Sequence, residues 1–136
     1  MRAVLDANVL ISALLAPAGA SAGLLVRWLR GEFELVVSNK LLTELSRALA
    51  YPKLRSWISP EQADVLMDLL RRSASLTAAP DEPPERISRD PEDDYLLALA
   101  AATDSILVTW DRDLLDLQGL PVLSPTVFLT RLDESR

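Results

Sequence analysis

The side chains able to do chemistry in this chain are carboxylates. It has no histidine and no cysteine, which removes Ser–His triads, imidazole and thiolate zinc sites, cysteine nucleophiles and disulfides together. Asp6 closes a short apolar run, Ala3-Val4-Leu5, and Asp111 follows another, Ile106-Leu107-Val108-Thr109. Glu44 lies three residues after Leu41 and one before Leu45, at the margin of a helix's apolar face. Asp93 falls at the start of an Ala/Leu-rich stretch with Asp94 beside it, and Asp113 stands two places after Asp111. Gathering such acids is opposed by like-charge repulsion and by desolvation. A hard cation with oxygen ligands offsets both, and magnesium or manganese is the expected one. Each acid also has a structural reading. Asp6 and Asp111 can be helix caps, Asp93 the reciprocal residue of an Asp90-x-x-Asp93 box, and Glu44 a solvated helix residue.

The elements that must position these acids alternate along the chain. Residues 3–5 read as a buried strand, Asn8 to near Pro17 as a helix, and Ser21 to Leu29 as a second helix closed by Gly31. Glu34-Leu35-Val36-Val37 is a second strand. Ser38 caps a helix carrying Leu41, Leu42, Leu45 and Leu49 at helical spacing, which Tyr51-Pro52 ends. Ser59-Pro60-Glu61-Gln62 is a capping-box start, with Val65, Leu66, Leu69 and Leu70 as the stripe and Arg71-Arg72 at the basic end. The proline-bearing stretch 77–89 reads as a surface connection with room for one short edge strand. A helix from Asp90 to about Thr103, strands at 106–109 and 121–123, and a last helix capped by Ser124 complete the order. Continuous apolar strands between helices predict an α/β fold, its mainly parallel sheet of four or five strands covered on both faces. In such sheets sites lie beyond the carboxyl ends of the strands, where Asp6 and Asp111 stand.

A length of 136 residues suits one domain, 1–136. With 14 basic and 20 acidic residues the net charge is −6, which disfavours non-specific nucleic-acid binding unless bound cations reverse the local field. Only Lys40 and Lys53 are lysines; the remaining bases are arginines, whose planar forks suit phosphate. The opening Met1-Arg2-Ala3 carries no signal-like pattern, and no apolar run reaches the roughly 20 residues of a membrane span, so a cytoplasmic location is expected. The apolar surplus around Leu14-Leu15 and Leu24-Leu25-Trp28 is either core or a dimer surface.

Taken in order, Leu5-Asp6-Ala7-Asn8-Val9-Leu10, Glu44, Arg89-Asp90-Pro91-Glu92-Asp93-Asp94 before Leu96-Leu97-Ala98-Leu99-Ala100, and Val108-Thr109-Trp110-Asp111-Arg112-Asp113-Leu114-Leu115 closely resemble the PIN-domain family. The likeness covers nearly the whole chain and is strongest to the VapC-like toxin components of prokaryotic toxin–antitoxin pairs. It implies a three-layer α/β/α sandwich and a metal-dependent endoribonuclease. It further implies magnesium or manganese held by Asp6, Glu44, Asp93 and Asp111, with Asp94 the alternative in its doublet and Asp113 an acid for a second ion. Asn8 and Thr109 match positions that orient these ligands. An RNA substrate, a cognate antitoxin protein and a homodimer are the implied partners. Trp110 departs from the pattern, which has a small residue there more often. Arg47, Arg112 and Arg86 are candidates for contact with the RNA strand, or plain surface arginines. Two other readings compete. One is an idle PIN domain serving as a protein- or RNA-binding module. The other is an aspartyl-phosphate phosphatase, for which Asp6-Ala7-Asn8 lacks the second acid.

Overall fold

Three consecutive buried residues end both of the first two strands, with no in–out alternation, so each strand must be covered on both faces. A computed structural model describes residues 1–78 and 94–135 and shows how. Strands β1 (Arg2–Leu5), β2 (Glu34–Val37), β3 (Ser75–Leu76), β4 (Ile106–Val108) and β5 (Val122–Leu123) form one sheet in the order β3-β2-β1-β4-β5. All four pairings are parallel. The chain therefore winds outward from β1 through β2 to β3, then crosses back to β4 on the other side of β1 and continues to β5.

Helices α1 (Ala7–Leu15), α2 (Ala20–Leu29), α3 (Asn39–Leu49), α4 (Pro52–Arg55), α5 (Pro60–Ser73), α6 (Asp94–Ala102), α7 (Arg112–Leu115) and α8 (Pro125–Glu134) complete a three-layer α/β/α sandwich. Helix α6 packs on β1 and β4, while α1 packs on α2 and α3 and α2 packs on α8. Leu5, Leu10, Leu24, Leu35, Leu41, Leu45, Leu99, Leu107 and Phe128 are wholly or almost wholly buried. Each such side chain contributes roughly 1.5–3 kcal/mol by leaving water. Phe33, entering β2, meets Phe128 of α8 with ring centroids 5.2 Å apart. Arg27 of α2 bridges Glu32 at 2.7 Å and Asp133 of α8 at 2.8 Å.

The local signals work as their chemistry requires. Ser38 Oγ accepts from Leu41 N–H, Ser124 Oγ from Val127 N–H, and both hydrogen bonds of the Ser59–Gln62 capping box are present. Gly31 takes φ +79° just past α2, which returns its N–H to Trp28 O and that of Glu32 to Arg27 O.

Three details differ from the sequence expectation. Tyr51-Pro52 starts the short helix α4 as well as ending α3, because proline fits the first helical position. The edge strand β3 precedes the 77–89 stretch, most of which lies outside the described residues. On α5 the inward face is Leu66, Met67 and Leu70, whereas Val65 is 67% exposed. Helical spacing is satisfied by either set, and only packing on α3 selects one. No single helix among the described residues is long and apolar enough to cross a membrane.

Candidate active site

The direction of winding reverses between β1 and β4, so a crevice opens beyond their carboxyl ends. Their register pairs Leu5 with Val108, and Asp6 N–H continues the ladder to Val108 O at 2.9 Å. The next residues on the two strands, Asp6 and Thr109, thus meet although 103 positions separate them.

Thr109 is fully buried and organises what surrounds it. Its Oγ1 donates to Asp6 Oδ2 at 2.8 Å and accepts from Asp111 N–H at 3.0 Å and Asn8 Nδ2 at 3.4 Å. A hydroxyl has one proton and two lone pairs, so these contacts use its whole capacity. Asn8 Nδ2 also lies 3.4 Å from Asp6 Oδ2, while its Oδ1 accepts from Trp110 N–H at 3.3 Å. The opposed contacts fix which way the amide faces. Asp111 Oδ1 accepts from Asp113 N–H at 2.9 Å and so caps α7. The capping reading of Asp111 is therefore correct, and it is compatible with a second task, because the cap uses one carboxylate oxygen.

Burial holds the Asp6 carboxyl above the usual aspartate range, and the nearby Asp111 charge pushes it the same way. The Thr109 hydroxyl and the Ala7 and Asn8 amides oppose the rise without cancelling it. Two carboxylates that repel each other across a partly desolvated crevice form a donor set suited to a hard cation. Magnesium in particular binds through one or two carboxylates and keeps its remaining waters.

The other sequence candidates stand on other elements. Glu44 is half-buried on α3, where Tyr95 Oη donates to its Oε2 at 2.6 Å. Lys40, one turn before Glu44, places Nζ 4.6 Å from the centroid of the Tyr95 ring. Asp94, 3% exposed, opens α6, and Asp113 is exposed on α7. Asp93 and Arg86 lie outside the described residues. Among the described residues no three acids converge into a metal-binding group. Arg112 and Arg47 are both exposed. Arg47 lines a shallow groove of about 290 Å³ with Asn39, Thr43, Ser46 and Arg71.

Lys40, Tyr95 and Arg71 were not among the expected site residues. Lys40 had a signal, its i, i+4 spacing to Glu44. Tyr95 and Arg71 had none, since the packing that brings them to Glu44 and Arg47 is tertiary. Removing the hydroxyl in Tyr95→Phe should lower stability by about 1–2 kcal/mol, because the hydrogen bond to Glu44 ends on a charged group. Urea unfolding at neutral pH measures this, and an unchanged midpoint would show that Glu44 finds an equal partner in water.

The profile of the PIN domain matches residues 2–113, a span that contains both crevice acids and every strand but the last. The chain belongs to the PIN domain family. Relatives of this PIN domain include the uncharacterized protein MJ1680 of Methanocaldococcus jannaschii, 27% identical over 118 residues, which are 87% of this chain and 76% of that protein. Among solved structures, PAE2754 of Pyrobaculum aerophilum superposes with a TM-score of 0.68 at 19% identity, over 98% of this chain and 96% of that one. VapBC2 of Rickettsia felis, solved bound to a DNA fragment from its promoter, gives 0.62 at 16% identity, covering 90% and 97%. FitAcB of Neisseria gonorrhoeae gives 0.55 at 17% identity, covering 91% and 98%. At such identities these structures establish the shared fold.

Proposed function

We propose that this PIN domain is a metal-dependent ribonuclease that cuts RNA internally, and that it is the toxin of a toxin–antitoxin pair. The observation that carries the nuclease reading is the hydrogen-bonded Asp6–Thr109–Asp111 unit at the switch point of the sheet. Asp6 and Asp111 are the residues that would hold magnesium or manganese, with Glu44, Asp93 or Asp94, and Asp113 as the further acids of the set. Bound there, such an ion would supply an activated water and charge stabilisation on the departing oxygen. The chain's own part is to fix those oxygens in place. Thr109 and Asn8 lock the Asp6 carboxylate, and the Asp113 amide turns that of Asp111. Arg47 and Arg71, facing one groove, are suited to the phosphates of the bound strand, and Arg112 follows the Asp111 ligand directly.

The toxin reading rests on the family resemblance and on the likeness to VapBC2 and FitAcB. An apolar groove of about 330 Å³ between α1, α2 and α5, lined by Leu14, Leu25, Val65, Leu66 and Leu69, supports a protein partner: an antitoxin or a second copy in a homodimer. Leu24 and Trp28, by contrast, belong to the core.

The test is digestion of a labelled single-stranded RNA pool by the purified chain with magnesium, manganese or a chelator. Products bearing 5′-phosphates that appear only with metal are the expected result. RNA that is bound and left intact under all three conditions would replace the enzyme with an idle binding module.

A further inference from the structure

We infer that the indole of Trp110 is a stacking platform for the nucleobase beside the scissile phosphate. The inference rests on the ribonuclease reading and assigns this chain a base subsite. Trp110 stands between Thr109 and Asp111. Its backbone N–H is tied to Asn8 Oδ1 at 3.3 Å. Its Nε1–H donates to Ser21 Oγ at 2.9 Å, with Ser12 Oγ at 3.3 Å, and Ser12 in turn donates to Ser21 at 2.8 Å. Ser21 is 2% exposed, so the ring is anchored to the interior at its polar edge.

Those contacts also locate the ring. Asn8 and Ser12 are i, i+4 neighbours on α1, about one turn or ~5.4 Å apart along the axis. Asn8 reaches the Asp6 carboxylate, so the indole N–H lies alongside α1 roughly one turn (~5.4 Å) from Asp6. A strand whose phosphate sits on Asp6 and Asp111 therefore has its adjacent base within reach of the ring. Trp110 nevertheless remains 41% exposed. A clasp between β4 and α1–α2 requires only the indole N–H. It does not require so large an apolar side chain to stay this exposed. A fixed, exposed ring held by its edge is what sequence-tolerant base stacking uses, since every base presents a π-face.

The test takes a single-stranded RNA oligonucleotide cleaved at one mapped position and two copies of it, abasic immediately before or after the cut phosphate. Steady-state kinetics are measured for the whole chain, Trp110→Ala and Trp110→Phe. On intact RNA, Trp110→Ala should raise KM about tenfold with little change in kcat, and Trp110→Phe should keep most of the affinity. On one of the two abasic oligonucleotides the wild-type chain should lose affinity to a similar degree, and Trp110→Ala should lose no more. A purely structural role predicts instead an equal penalty on all three RNAs. That result, or an unchanged KM on intact RNA, overturns the base subsite while leaving the nuclease in place. If Trp110→Ala does not fold, the wild-type chain decides alone: full affinity for both abasic RNAs overturns the proposal. A wild-type chain that neither cleaves nor binds RNA overturns the ribonuclease reading, and the subsite with it.

Discussion

Asp6→Asn should lower RNA cleavage by at least about 100-fold and, in chelator at neutral pH, make the protein more stable than the wild type. Both effects follow from one environment. The Asp6 carboxyl sits partly desolvated beside Asp111, so the folded chain holds its proton more tightly than the unfolded chain does. A raised folded-state pKa means that stability is greatest below the unfolded value, near 3.8, falls as the pH rises through the folded value, and stays low above it. At pH 7 the whole penalty is present. Asparagine keeps the shape, still accepts from Thr109 Oγ1, and carries no charge. The expected gain is on the order of 1 kcal/mol, or roughly 3–5 °C in Tm. The difference should close when melting is repeated near pH 3. Magnesium should raise the Tm of the wild type and leave Asp6→Asn unmoved. Full cleavage by the variant would remove Asp6 from the chemistry, and a lower Tm at pH 7 would contradict the electrostatic account.

Thr109→Val is nearly isosteric and removes a single hydroxyl from a fully buried position, yet three neighbours lose their partner. Asp6 loses the strongest of the interactions that favour its charged form, Asp111 N–H loses its acceptor, and Asn8 loses one of its tethers. Activity should fall about 10- to 100-fold, as it does when groups that orient metal ligands are deleted. Stability should fall by about 1–3 kcal/mol from the unmet polar groups. Thr109→Ser, which keeps the hydroxyl, should restore most of the activity. In the Asp6→Asn background the activity loss from Thr109→Val should largely vanish, because residues acting as one unit are not additive. Equal losses in both backgrounds would show that Thr109 acts elsewhere than through Asp6. Urea midpoints and initial rates on one RNA supply both measurements.

Much of this architecture was readable one segment at a time. Glu34–Val37 was expected and found residue for residue, and Ser38, Ser59 and Ser124 cap the helices that their types announced. Such features depend on neighbours within a few positions, where backbone preference and side-chain hydrogen bonding suffice. Helix faces were less secure. Val65 and Met67 of α5 exchange roles because two registers of one stripe are almost equally apolar, and packing on a partner decides between them.

Asp6 and Asp111 were legible as candidates, since each follows an apolar strand in a fold whose sites lie beyond strand ends. Trp110 was legible as an oddity. Local pattern carries no information about who meets whom across the sheet. The contacts of Thr109 with Asp6, of Tyr95 with Glu44 and of Trp110 with Ser21 join positions 103, 51 and 89 residues apart. The sequence alone determined the alternation of strands and helices, their caps, and an acid-only chemistry, because these follow from residue type and short-range spacing. The tertiary structure decided that Thr109 ties the Asp6 carboxylate to the Asp111 backbone and that the Trp110 ring stays exposed beside them. It could do so only once the crossover had set β4 against β1, since hydrogen bonds that act over about 3 Å exist only where the sheet order brings their partners together.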